Sequence, residues 1–353
     1  MKSLRIPFFA AAGTVAALGL ALSSSRVTMT AFEVSPLLSD GAVPAPNLNR
    51  HLVNPWGLAS SPTGPFWIAS EGTGTSQIVR ADGSAFLPDV LVPGDRSGHP
   101  TGLVFNGDGG FDVQSNGQSA SSLFLFVTLD GRILGWNPAV DAGAAIVAAD
   151  HAQAGAVYTG AAIAESHGQR RLYVANFAMG RVDVFDPRFA PVASFSTRGV
   201  PPGYAPFGIA NVDGELFVTF ALRDPMTGED VPGPGNGYVF RLAPDGSSFR
   251  LFLARGELNA PWGLVVAPGG FGQFSNKLLV GNFGDGRILA YGRNNAHFFG
   301  PMEDEEGNPI VIEGIWGLLF GNGGAGGDPK DLYFTAGIDD EEHGLFGEIE
   351  VAH

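Results

Sequence analysis

Several oxygen- and nitrogen-bearing side chains recur at matching places along this chain. Glu71, Asn176 and Asn282 each stand at the end of an apolar run, at equivalent positions in alternate repeats of a longer pattern. A carboxylate and two amide carbonyls are hard-oxygen donors, the type that binds Ca²⁺. A calcium ion held by these three could polarise a lactone or ester carbonyl, with Asp339, His343 or His99 as catalytic acid or base. Against this stands the ordinary use of Asn as a turn residue. Asn176 and Asn282 directly precede Phe177 and Phe283 where the runs turn, and the turn role weighs more. Asn54, Asp130, Asp285 and the run from Asp339 to His343 fall in the same class of connection.

The acidic run admits three readings. Asp339, Glu341, His343, Gly344 and Glu350 have the offsets of an EF-type calcium loop, but His is a poor ligand there and Leu345 to Val351 reads as a strand. A solvated acidic loop fits better. The third reading pairs His343 with an acidic neighbour over a central channel. Sharper motifs fail. Gly321 to Gly326 matches a dinucleotide fingerprint, yet a strand follows it where a helix is required, so it is a glycine turn. Gly117 to Ser121 lacks the second glycine of a nucleophile elbow.

The elements that must position these residues are set by a repeat of roughly 50 residues. Its marker is a glycine followed by Leu or Ile: Pro55-Trp56-Gly57-Leu58, Pro100-Thr101-Gly102-Leu103, Pro206-Phe207-Gly208-Ile209, Pro261-Trp262-Gly263-Leu264 and Ile315-Trp316-Gly317-Leu318, with Thr159-Gly160-Ala161 between the second and third. Each marker opens an apolar run, and a second such as Leu172-Tyr173-Val174-Ala175 comes after a turn. A third begins Gly-Arg, as at Gly131-Arg132, Gly180-Arg181 and Gly286-Arg287, and a weaker fourth closes most periods. The pattern predicts an all-β, six-bladed β-propeller with four-stranded blades. The last period lacks its fourth run, so the N-terminal segment Phe32 to Leu38 is expected to close that blade and hide both free edges. Trp56, Phe207, Trp262 and Trp316 share one position and are expected to pack between neighbouring blades. Arg132, Arg181 and Arg287 are expected to pair with Asp130, Asp183 and Asp285.

A net charge of −15 and the lack of a basic stripe exclude nucleic acid as an expected partner. With no cysteine, disulfides, thiol catalysis and thiolate zinc sites are excluded. Met1 to Arg5 is basic, Ile6 to Leu22 is apolar and uncharged, and small residues follow. This is the pattern of a cleaved secretory signal over 1–25, leaving a propeller of 26–353. The mature protein is expected to be a secreted or periplasmic monomer without membrane attachment.

The phrases Asn54-Pro55-Trp56-Gly57-Leu58, Pro62 to Trp67, Pro202 to Ile209, Leu258 to Leu264, Val280 to Ile288 and Thr335 to Ile338 carry a family resemblance. Together they resemble a conserved hypothetical family of secreted bacterial β-propeller proteins, some with PEP-CTERM sorting tails. The resemblance implies export and no known activity, and this chain ends Glu350-Val351-Ala352-His353 without such a tail. A looser likeness, in blade pattern alone, is to NHL-repeat and gluconolactonase/senescence-marker propellers. The expected function is a binding module that takes a protein, glycan or small-molecule ligand at the channel mouth. The alternative is a calcium-dependent lactonase or esterase.

Overall fold

The computed structural model describes residues 30–95 and 98–352; the expected signal segment 1–25 lies outside them. Among the described residues the strands form six principal sheets around one axis. Blade one runs from Pro55–Ser60 to Ala85–Leu91, blade two from Pro100–Phe105 to Ile146–Asp150, and blade three from Tyr158–Ser166 to Pro191–Ser196. Blade four runs from Tyr204–Val212 to Phe249–Ala254 and blade five from Pro261–Val266 to Phe298–Pro301. Blade six contributes Ile315–Phe320, Leu332–Ala336 and Leu345–Val351, and its outer strand is Phe32–Ser39, antiparallel to Leu345–Val351. The ring is therefore closed by the N-terminal strand, as the missing fourth run implies.

The middle strands read as unbroken apolar runs because both of their faces are covered. In Phe124–Thr128, Phe124 and Phe126 pack toward blade one, while Leu125 and Val127 pack toward blade three. This is the two-residue alternation of a strand between two neighbouring sheets. The same pattern repeats round the ring, giving an apolar cluster at every interface between blades.

The recurring glycine has a steric cause. A Cβ on Gly317 would stand 2.7 Å from the Trp56 carbonyl oxygen of the next blade, and one on Gly102 2.6 Å from the Ala161 amide nitrogen. Gly57, Gly208 and Gly263 meet the carbonyls of Thr101, Trp262 and Trp316 more closely still. Inner strands thus touch backbone to backbone at a waist around the axis, where no side chain fits. Buried threonines tie the same blades together. Thr101 Oγ1 donates to the Tyr158 carbonyl, Thr159 Oγ1 to that of Phe207 and Thr335 Oγ1 to that of Trp56, each at 2.7 Å.

The residues before these glycines depart from expectation. Trp56, Phe207 and Trp316 belong to a seventh apolar cluster on the axis, with Trp262 packed against it, and do not pack between adjacent sheets. Trp56 stacks on Trp316 at 3.6 Å and meets Phe207 and Trp262 edge-on at 6.0 Å. Inner-strand pairing is irregular across this phrase, for example between Pro206 and Ile209, which releases the aromatic side chain toward the axis. The rings plug the channel.

Candidate ligand cavity at the channel mouth

Above the plug, on the face where chain enters each inner strand, lies a cavity of about 870 Å³. Trp56, Phe177, Phe207 and Phe283 line it with aromatic surface. Glu71, Glu229, Asp230, Glu313, Asp340 and Glu341 line it with acidic side chains, and Arg223 is the one basic residue among the described residues that line it.

A network fixes one wall. Glu71 opens the short 3₁₀ turn Glu71–Thr73, whose start is pinned by hydrogen bonds from the Glu71 and Gly72 amides to the carbonyls of Asn54 and Val53. Asn54 Nδ2 donates to Glu71 Oε2 at 3.0 Å and to Glu341 Oε2 at 2.6 Å, while its Oδ1 accepts from Trp316 Nε1 at 3.0 Å. One buried amide therefore joins both carboxylates to the aromatic plug. His99 Nδ1 lies 2.5 Å from Glu71 Oε1 and extends the network to blade two. Asn54 and His99 both take left-handed backbone, φ 44° and 46°, just before a proline. Asn and His tolerate this region better than most residues, but the conformation stores strain.

Glu341 arrives by a costlier route. Asp339, Asp340 and Glu341 are consecutively left-handed, with φ of 55°, 51° and 66°. Each such residue costs about 1–2 kcal/mol outside glycine. Burial pushes the Glu341 carboxyl up from its ordinary range; the Asn54 hydrogen bond opposes this and Glu71 adds to it. Asp230 comes from the long connection between Glu215–Leu222 and Tyr238–Leu242 in blade four. Burial, reinforced by the charge of Glu341, pushes its pKa up to about 7. Asp230 Oδ2 and Arg223 Nε from the same connection are buried without hydrogen-bond partners, as is Trp56 Nε1 on the floor.

The raised Asp230 pKa makes a stability prediction. The folded protein holds this proton more tightly than the unfolded chain, so stability falls as pH rises from the ordinary value of 3.8 toward about 7, then levels off. Asp230→Asn is expected to match the parent near pH 4 and to exceed it at pH 8 by about 3 kcal/mol. Urea denaturation at the two pH values measures the difference, and an equal gap at both contradicts it.

The residues singled out in the sequence fare differently. Glu71 lines the cavity and His99 holds it. Asn176 and Asn282 do not join them. Asn176 Oδ1 accepts the Met179 amide at 3.2 Å and its Nδ2 donates to Asp183 at 2.7 Å. Asn282 Oδ1 accepts the Asn259 amide at 3.1 Å and its Nδ2 donates to the Glu257 carbonyl at 2.8 Å. Both amides serve turns, the role their sequence context favours, and neither lines the cavity that Glu71 lines. Among the described residues no group of three or more Asp, Glu or His is spaced to hold a metal ion. His343 is turned to the closing seam, where Nδ1 lies 2.7 Å from Asp40 Oδ2, and the Asp339 side chain is largely exposed. The hydrogen bond to Asp40 pushes the His343 pKa up. An EF-type loop is excluded by the strand Leu345–Val351. Arg181 and Arg287 pair with Asp183 and Asp285 at 2.6 and 2.8 Å, and Arg132 pairs with Asp130, Asp95 and Asp150. Asp230 and Arg223, which sequence reasoning passed over, lie in a connection that the repeat does not describe.

No protein-family model matches the chain. "Uncharacterized protein R648" of Acanthamoeba polyphaga mimivirus is 31% identical to it over 335 residues, which cover 92% of this chain and 81% of that protein. Among solved structures, virginiamycin B lyase from Staphylococcus aureus superposes with a TM-score of 0.53 at 15% identity, over 91% of this chain and 100% of that one. A protein of unknown function from Bacteroides thetaiotaomicron gives 0.57 at 12% identity, over 91% of this chain and 76% of that one. At such identities the two structures show the propeller fold alone.

Proposed function

Since the chain belongs to the family of the mimivirus protein R648, which brings no activity with it, we propose a function from the cavity itself: this is an exported propeller that binds a small organic ligand at the channel mouth. Export is supported by the basic, apolar and small-residue order of the first 25 residues. Ligand binding is carried by one observation, an aromatic-floored cavity of about 870 Å³ ringed by polar groups. Its size lies in the range that encloses drug-sized molecules, and its aromatic floor supplies the apolar surface such sites use. The walls are held by strained backbone at Asn54, His99 and Asp339 to Glu341.

The test compares the mature chain with Ala178→Trp, which adds an indole from a half-buried turn at the cavity wall. Sugars, amines, carboxylic acids and lactones are screened by thermal shift. At least one compound is expected to raise the melting temperature of the parent and to leave that of the variant unmoved. Equal shifts in both proteins, or no shift with any compound, would overturn the reading.

A lactone or ester hydrolase is the second reading, favoured by Asp230. A carboxyl with a pKa of about 7 beside the carboxylate of Glu341 has the make-up of an acid/base pair working near neutral pH. It expects turnover of one of the screened lactones or esters, lost in Asp230→Asn. Binding without turnover leaves the first reading alone.

A further inference from the structure

We propose that the ligand of this cavity is an organic cation with an apolar body, an ammonium group on a carbon framework. The inference rests on the cavity being a ligand site and adds the chemistry of what enters it.

Two independent features agree. Among the described residues the rim carries six acidic side chains against one guanidinium. An anion entering it meets like charge, and field lines converge in a recess with low-dielectric walls. The floor is aromatic, and the faces of Trp and Phe rings carry negative potential that attracts a cation lying on them. A carboxylate rim alone would suit any cation, and an aromatic floor alone would suit any apolar molecule. Together they suit a group that is both charged and greasy.

The floor also holds a polar group with no partner. Trp56 is 6% exposed, lines the cavity and has a buried indole N–H with no acceptor. The equivalent nitrogens of Trp262 and Trp316 donate to the Thr159 carbonyl and to Asn54 Oδ1 at 2.9 and 3.0 Å. An orphaned buried donor is costly. Its almost complete burial means that a ligand oxygen reaches it only if the indole shifts.

A bare divalent ion fits less well. Calcium gathers six to eight oxygens at about 2.3–2.6 Å. Here both Glu71 oxygens and one Glu341 oxygen already accept hydrogen bonds, from His99 and Asn54. The remaining carboxylates ring a space of about 870 Å³ and are not gathered at one point. A diffuse cation can take charge from several sides without stripping those bonds.

The experiment is calorimetric titration of the mature chain with choline, with 3,3-dimethylbutan-1-ol as its uncharged isostere, and with CaCl₂. Choline is expected to bind at least about tenfold more tightly than the isostere, because charge is the difference between them. Glu341→Gln is expected to weaken choline several-fold while melting as cooperatively as the parent, and choline binding to strengthen between pH 6 and 8 as Asp230 ionises. Equal affinity for choline and the isostere, or Ca²⁺ binding that choline does not displace, overturns the proposal. If choline fails while a neutral compound still binds in the parent and not in Ala178→Trp, the ligand class is wrong and the cavity reading stands. If nothing binds the parent, both fall.

Discussion

Replacing Gly263 by alanine is expected to cost about 3 kcal/mol or more of stability. The glycine lies in ordinary strand conformation, so the loss does not come from a dihedral angle that alanine would resist. It comes from the next blade. A Cβ at Gly263 collides with the Trp316 carbonyl oxygen and stands 3.1 Å from Leu318 Cγ. A backbone carbonyl cannot swing aside as a side-chain end can, and this one belongs to the inner strand of blade six. Relief would require two blades to move apart at the waist. The ring transmits that displacement, because each inner strand also touches its other neighbour, as Gly208 does at Trp262 and Gly317 at Trp56. Gly269→Ala is the matched control. Its Cβ meets nothing within 4 Å and its φ is ordinary, so it is expected to be neutral or slightly stabilising. Thermal melts of the two variants beside the parent decide the matter. Near-equal melting temperatures would show that the waist is looser than the geometry requires.

That glycine explains why so much of the fold was legible in the sequence. A backbone contact repeated at every blade interface leaves a repeated glycine, and a sheet covered on both faces leaves a repeated apolar run. The closing strand was legible for a similar reason, since a blade ending at Val351 needs a partner and Phe32 to Leu38 was the unassigned apolar segment. The direction of a side chain was harder to read. Trp56, Phe207, Trp262 and Trp316 share one position in the repeat, but whether that position faces a neighbouring blade or the axis depends on the local irregularity in strand pairing. The site was legible only where it follows the repeat. Glu71 and His99 sit at repeat-defined connections and were found. Asp230 and Arg223 sit in a connection peculiar to blade four, which has no counterpart to compare. In the acidic run the residues were noticed but their roles were not. Three left-handed residues turn Glu341 into the cavity and leave His343 facing Asp40, and no residue pattern announces such a turn.

A chain beginning at residue 40, lacking the strand Phe32–Ser39, is expected to lose cooperative folding altogether. The strand serves two interfaces at once. Phe32, 2% exposed, packs on Phe271 and Phe274 at ring separations of 5.0 and 5.6 Å, on the side of blade five. Leu37 and Leu38 join the cluster shared with blade one. Burying three such side chains contributes about 5–9 kcal/mol, against a total of about 5–15 kcal/mol for a typical domain. The strand also supplies the ladder that covers Leu345–Val351, from Phe32 opposite Val351 to Ser39 opposite Leu345. Without it, Leu345–Val351 becomes an open edge next to the buried Phe346 and Ile349, a surface that pairs with other chains. The truncated protein should therefore melt without a sigmoidal transition and elute as aggregate in size-exclusion chromatography. A peptide spanning residues 30–44, added in excess, should restore a cooperative melt because the strand pairs along its whole length without a covalent link to blade one. A truncated chain that melts within a few degrees of the parent would mean that the other four interfaces hold the ring alone. The strand would then be a cover and not its closure.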